Sequence, residues 1–222
     1  MRRALGAAVL GLLLAAAPLT AQEARLDGRV DAATRAKLAV ILDSARAAGL
    51  PEDPLVNKAL EGASKGAGGD RIVVAVRRLA ADMTRARDAL GNASTAELVA
   101  GAAAVHGGAA PALLQQLRTE HPGASLEVAL AVLTDLLARG VPPDTATRAV
   151  VALVGTKARD EELVAFRRNV ERDIALGAPA AAAAVVRLPA SAVAAFTAAA
   201  ASPTSSGGPV VHHPPPAGPQ RP

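Results

Sequence analysis

Apolar residues recur along this chain at intervals of three and four, and no stretch alternates convincingly between apolar and polar. That period belongs to helices rather than strands. The signal is clearest over 70–90. Ile72, Val76, Leu79, Met83, Ala86 and Leu90 form a narrow apolar seam, and Arg77, Arg78, Asp82, Arg85 and Asp88 lie off it. The stretch 31–48 places Leu38, Ile41, Leu42 and Ala45 on one face. The stretch 125–139 places Leu126, Leu130, Leu133 and Leu137 likewise, and 160–176 places Leu163, Phe166, Val170 and Ile174. Shorter helices are expected over 54–65 (Leu55, Val56, Ala59 and Leu60 inward), 94–106, 111–118 (Leu113, Leu114, Leu117), 144–154, 179–188 and 190–201.

The connections resemble one another. Gly49-Leu50-Pro51-Glu52-Asp53 matches Gly140-Val141-Pro142-Pro143-Asp144; Gly66-Ala67-Gly68-Gly69-Asp70 and Gly107-Gly108-Ala109-Ala110-Pro111 are looser versions. The match continues from Lys65-Gly66 to Leu79 against Arg139-Gly140 to Leu153. Glycine accepts the left-handed conformation that ends a helix, the apolar residue after it folds back, proline cannot continue the helix, and aspartate caps the next one. Lys65 and Arg139 suit the negative helix ends they precede. The motif therefore ends one helix and starts an antiparallel neighbour, giving hairpins at 54–90, 94–118 and 125–154. Ser94-Thr95-Ala96-Glu97 reads as a capping box, and Asp160-Glu161-Glu162 places acids where the helix dipole favours them. The turns are too unevenly spaced for a regular solenoid. Capping alone accounts for the motif; the functional reading is that successive hairpins stack and offer a groove to a protein.

The two chain ends differ from this body. Arg2 and Arg3 precede an uncharged apolar run from Ala4 to Leu19, followed by Thr20-Ala21. A basic start, a short apolar core and a small exit residue make a secretory leader over 1–21, cut near Ala21. The run falls short of the roughly 20 residues that span a bilayer. The last 21 residues hold seven prolines and three glycines, a composition that cannot offset its ordering entropy, so 202–222 is expected to be disordered. The remaining parts are a flexible linker at 22–30, a helical domain at 31–188 and an Ala-rich helix at 189–201.

Composition narrows the chemistry. There is no Cys, Trp or Tyr, and Phe166 and Phe196 are the only aromatics. Disulfides, thiol catalysis and lipid attachment through cysteine are excluded. Sugar clefts and single-stranded nucleic-acid sites lose the rings they stack on. Removing Arg2 and Arg3 with the leader lowers the formal net charge of +4 by two, too little for a nucleic-acid footprint. Arg71, Arg77, Arg78, Arg85 and Arg87 could meet an acidic partner or an anionic membrane surface, but Asp82 and Asp88 stand at pairing distance.

Candidate reactive residues are sparse. His106 precedes a helix-ending glycine, His121 precedes Pro122, and neither has an acid or second histidine at helical ligand spacing. His212-His213 falls in the tail. Gly66-Ala67-Gly68-Gly69 joins two helices and lacks the Lys-Ser/Thr of a phosphate loop. Asn92-Ala93-Ser94 matches a glycosylation sequon whose serine is claimed by capping. No Gly-x-Ser-x-Gly or His-Glu-x-x-His is present. No catalytic, cofactor-binding or metal-ligating residue is assigned, and no cofactor is implied. The sequence thus describes an all-α, irregular stack or bundle of antiparallel helical hairpins. Its expected role is a non-catalytic interaction or scaffold protein of the bacterial cell envelope, periplasmic or secreted, with a protein partner, no integral membrane span after cleavage and no nucleic acid. The alternative is a small-ligand binder or enzyme with an unrecognised site, for which His106 is the candidate residue.

Overall fold

The structure is a computed structural model that describes residues 24–201. The expected leader at 1–21, its cleavage point and the tail at 202–222 with His212-His213 lie outside the described residues. Every regular element among the described residues is helical. The helices are α1 (Ala32–Ala47), α2 (Asp53–Ser64), α3 (Gly69–Leu90), α4 (Thr95–His106), α5 (Pro111–Glu120), α6 (Glu127–Ala138), α7 (Pro143–Gly155), α8 (Asp160–Ala175), α9 (Ala180–Val186) and α10 (Ala190–Ala201).

The helix-ending half of the turn chemistry works as the sequence reading requires, but the motif's aspartates do not cap. Glu52, Gly68 and Pro142 hold the N-cap positions without a side-chain bond. Asp53, Asp70 and Asp144 stand instead in the first turns of α2, α3 and α7, where the helix dipole favours an acid. Gly49 takes φ of 70°; its amide donates to the Arg46 carbonyl at 2.9 Å and the Leu50 amide donates to the Ala45 carbonyl at 2.8 Å. This pair of bonds satisfies the last carbonyls of α1. Leu50 is then buried against the helix it follows. The same two-bond closure recurs at Gly66, Gly108, Gly140, Lys157 and Gly177. Ser94 and Glu97 close the capping box: the Ser94 hydroxyl accepts from the Glu97 amide at 3.1 Å, and the Glu97 carboxylate accepts from the Ser94 amide at 2.8 Å.

Lys157 is the exception among these turns, holding φ of 59° where the others use glycine. A side chain in the left-handed region costs about 1–2 kcal/mol, while glycine gives back part of that in unfolded-chain entropy. Lys157→Gly is therefore expected to stabilise the protein by about 0.5–1 kcal/mol, read as a raised denaturation midpoint. A lowered midpoint would show that the lysine side chain contributes more than its backbone conformation costs.

The chain divides into two compact units, with Leu114 the last residue of the first and Gln115 the first residue of the second, inside α5. In the first unit α3 is central and packs on α1, α2 and α4. The expected seam is buried at Ile72, Val76, Met83, Ala86 and Leu90, but Leu79 is half-buried, and Val73 and Asp82 are buried too. A helix contacted by three others needs more than a narrow stripe. α1 and α3 run parallel: Lys37 near the start of α1 meets Asp70 at the start of α3 at 2.7 Å, and Arg87 near the end of α3 donates to the Ala48 carbonyl just past α1. Residues 24–30, expected to belong to a flexible linker, form turns in which Leu26 is buried, and Arg25 donates to Asp53 at 2.8 Å and to Asn57 at 2.7 Å.

In the second unit α7 packs on α6, α9 and α10, and α8 packs on α6 and α9. α7 is buried at every position from Ala149 to Val154, and at Ala146 and Thr147. The Thr147 hydroxyl, inside this apolar environment, donates to the Pro143 carbonyl at 2.7 Å. Leu137 and Ile174, expected inward, are half-buried, and Leu136 is buried instead. α6 and α8 also run parallel: Asp135 pairs with Arg167 at 2.7 Å, and Arg139 pairs with Glu171 at 3.7 Å. The Arg148 guanidinium lies 4.8 Å from the centre of the Phe196 ring and pairs with Asp144 at 2.8 Å, tying α10 to α7.

Candidate functional site

The parallel arrangement of α1 and α3 leaves a groove on one side of the pair. It has a volume of about 440 Å3. Val40, Ile41, Ser44, Ala45 and Ala48 line it from α1, Leu50 from the turn after α1, and Ala80, Ala81 and Thr84 from α3. Lys37 and Arg77 supply its two charges. The lining follows from helical spacing: on each helix the residues lie three and four apart, hence on one face. Small side chains on that face leave the space open. Val40, 67% exposed, stands on the α1 side; Val74, 60% exposed, stands one turn before Arg77 and Arg78 on α3.

The polar groups of the groove do not converge. The Ser44 hydroxyl donates to the Val40 carbonyl at 2.8 Å, and the Thr84 hydroxyl donates to the Ala80 carbonyl at 3.0 Å. Both are spent on their own helices. Orienting a small polar substrate takes donors and acceptors aimed at a common point, and this lining offers only two cations.

A second polar cluster joins α3 to α4. Asp82 is 1% exposed. Its carboxylate meets Nδ1 of His106 at 3.0 Å and accepts from Arg85 one turn along α3. A carboxylate removed from water needs such partners. His106, which the sequence placed only at a helix end, therefore ties the end of α4 to the middle of α3. Among the described residues no nucleophile or further acid bonds to this pair, and the contact satisfies Asp82. The arginines of α3 divide accordingly. Arg85 and Arg87 are engaged by Asp82 and the Ala48 carbonyl. Arg71, Arg77 and Arg78 are exposed, with no hydrogen-bond or ion-pair partner among the described residues.

The other sequence candidates are local. His121 Nε2 lies 2.7 Å from the Val154 carbonyl. Glu162 accepts from the Arg159 amide at 2.7 Å and so caps α8. Ser94 is occupied by the capping box, and the glycines at 66–69 end α2 and start α3. Among the described residues no group of three His, Asp or Glu stands where it could hold a metal ion. No described helix is long and apolar enough to cross a membrane.

Shifted acids lie at helix ends and on surface pairs, away from the groove. Hydrogen bonds from Lys65 and Lys58 pull the Glu61 carboxyl down to about 2. The Thr34 hydroxyl and amide hold the Asp31 carboxyl below its usual range, and Arg187 does the same for Asp173. Such shifts accompany structural ion pairs as readily as catalytic sites.

Sequence reasoning expected a groove along stacked hairpins but did not place it between α1 and α3, and it missed the Asp82–His106 contact. Both depend on which helices lie side by side, and Asp82 and His106 are 24 residues apart. The one available signal was negative: Val40 and Val74 are apolar residues off their seams. No known protein family, no curated protein and no solved structure matches this chain.

Proposed function

We propose that this chain is an exported, non-catalytic interaction protein of the bacterial cell envelope. In this reading the leader at 1–21 is removed near Ala21, the helical hairpins stack, and the groove between α1 and α3 receives a protein partner. The observation that carries it is the groove itself: open and largely apolar, rimmed by an exposed valine, with two cations and no converging polar groups. Helix-lined apolar grooves hold partner helices by this kind of surface. Exposed apolar area rimmed by charge is otherwise a liability in water.

A small-ligand binder is the second reading, favoured by one observation. The groove volume falls within the roughly 300–1,000 Å3 of small-molecule pockets, and two cations could hold an acid. An anionic membrane surface meeting Arg71, Arg77 and Arg78 is the third.

The test places a photo-crosslinking amino acid at Val40 in the native host. A discrete protein adduct in the envelope fraction, with an intact mass corresponding to residues 22–222 for the free protein, is the expected result. No adduct at Val40 overturns the interaction reading. A uniform full-length mass overturns export with cleavage.

A further inference from the structure

We propose that the occupant of the groove is an acidic amphipathic helix of a partner protein, whose carboxylates pair with Lys37 and Arg77. This deepens the interaction reading above and rests on it.

The shape comes first. The α1 side of the groove runs from Lys37 to Ala48, about 16 Å along the helix axis, or three turns of a guest helix laid beside it. Ala45, Ala48, Ala80 and Ala81 are small enough to let a guest backbone come close, as alanine-lined contacts do between helices. Val40 and Val74 remain exposed on the two host helices, where apolar side chains of a guest would cover them.

Charge then selects the guest. The lining contains two cations and no acid. Among the described residues Lys37 has a single ion pair, to Asp70, whose side chain is 90% exposed. Arg77 and its neighbour Arg78 have none among the described residues.

The corresponding helix pair of the second unit carries acids of its own. Setting Gly49 against Gly140 and Gly66 against Lys157 puts α1 and α3 in register with the parallel pair α6 and α8. In that register Ser44 corresponds to Asp135 and Ala80 to Glu171. Asp135 accepts from Arg167, and Glu171 pairs with Arg139, across α6 and α8. The first unit has a hydroxyl and a methyl at those two places and keeps Arg77 opposite Arg168. The arginines those acids hold, Arg167 and Arg139, correspond to Val76 and Ala48, so the first unit lacks both halves of these pairs. Its groove cations, Lys37 and Arg77, face a lining with no acid, and a guest would bring one.

The probes are two synthetic peptides of about fifteen residues, the length at which isolated helices are marginal. They share a Leu/Ala seam and one Trp, and differ in carrying Glu or Lys beside the seam. The chain has no Trp or Tyr, so peptide fluorescence reports binding to the full-length protein directly. The Glu peptide is expected to bind with Kd on the order of 10 μM and to weaken at high salt. Lys37→Glu with Arg77→Glu should weaken it at least tenfold, about 1.4 kcal/mol, and let the Lys peptide bind instead. Ala81→Leu should block both by filling the groove, without altering surface charge. Circular dichroism of each variant checks that the fold is retained.

Equal binding of the two peptides, binding of neither, or indifference to charge reversal overturns the proposal. So does binding of the native chain to phosphatidylglycerol vesicles, lost in Arg77→Glu, while the Glu peptide stays free; that result assigns the cations to a membrane surface. A partner crosslinked at Val40 through a basic segment overturns this inference and leaves the interaction reading standing. The absence of any adduct at Val40 removes the reading itself.

Discussion

Val150→Asp is expected to unfold the second unit, at a cost above about 4 kcal/mol. Val150 is fully buried in α7, and α7 is enclosed by α6, α9 and α10. A carboxylate there would have to be neutralised or paired. The nearest cation along the helix, Arg148, is held by Asp144 and lies over Phe196. Val150→Ala separates charge from volume: the cavity alone should cost about 1–3 kcal/mol. Urea denaturation followed by circular dichroism distinguishes the two. A folded Val150→Asp variant with an unchanged midpoint would mean that α7 has water on one side.

The second large effect is expected at Gly101, where α4 comes closest to α3. A Cβ at this position would lie 2.9 Å from Leu90 Cδ1 and 3.1 Å from Ala86 Cβ. Both of those residues are buried, so neither has room to withdraw. Gly101→Leu should therefore cost about 1–3 kcal/mol or more through overpacking. Gly101→Ala should be nearly neutral, because the close contact opposes a helix-propensity gain of about 1 kcal/mol. Pairing Gly101→Leu with Leu90→Ala should recover part of the loss, and a double-mutant cycle measures that coupling. Additive losses in the pair would place the strain elsewhere.

The local grammar of this chain was readable because each signal is complete within a few residues. The Ser94–Glu97 box, the left-handed glycines at 49, 66 and 140, and the seam from Ile72 to Leu90 all needed only neighbours in sequence. Two kinds of feature escaped. The turn at Lys157 lacks the residue that advertises such turns, yet it holds the same left-handed conformation. The groove, the burial of Asp82 and the half-exposure of Leu79, Leu137 and Ile174 depend on which helix lies against which. Periodicity fixes the inward face of a helix but not its neighbour across that face. Asp82 shows the difference: beside Arg85 and Arg78 it reads as part of a solvated surface, yet α4 covers it and brings His106 to it.

Among the described residues every substantial helix contact joins helices no more than three places apart in chain order, from α1 with α3 to α7 with α10. Little loop entropy has to be given up before such contacts form. Local topologies of this kind fold on the order of microseconds to milliseconds. Each helix finds its neighbours soon after it is made or released, so apolar surface is exposed only briefly. For a chain whose core relies on alanine, leucine and valine, local topology shortens the time in which unburied helix faces can meet other chains.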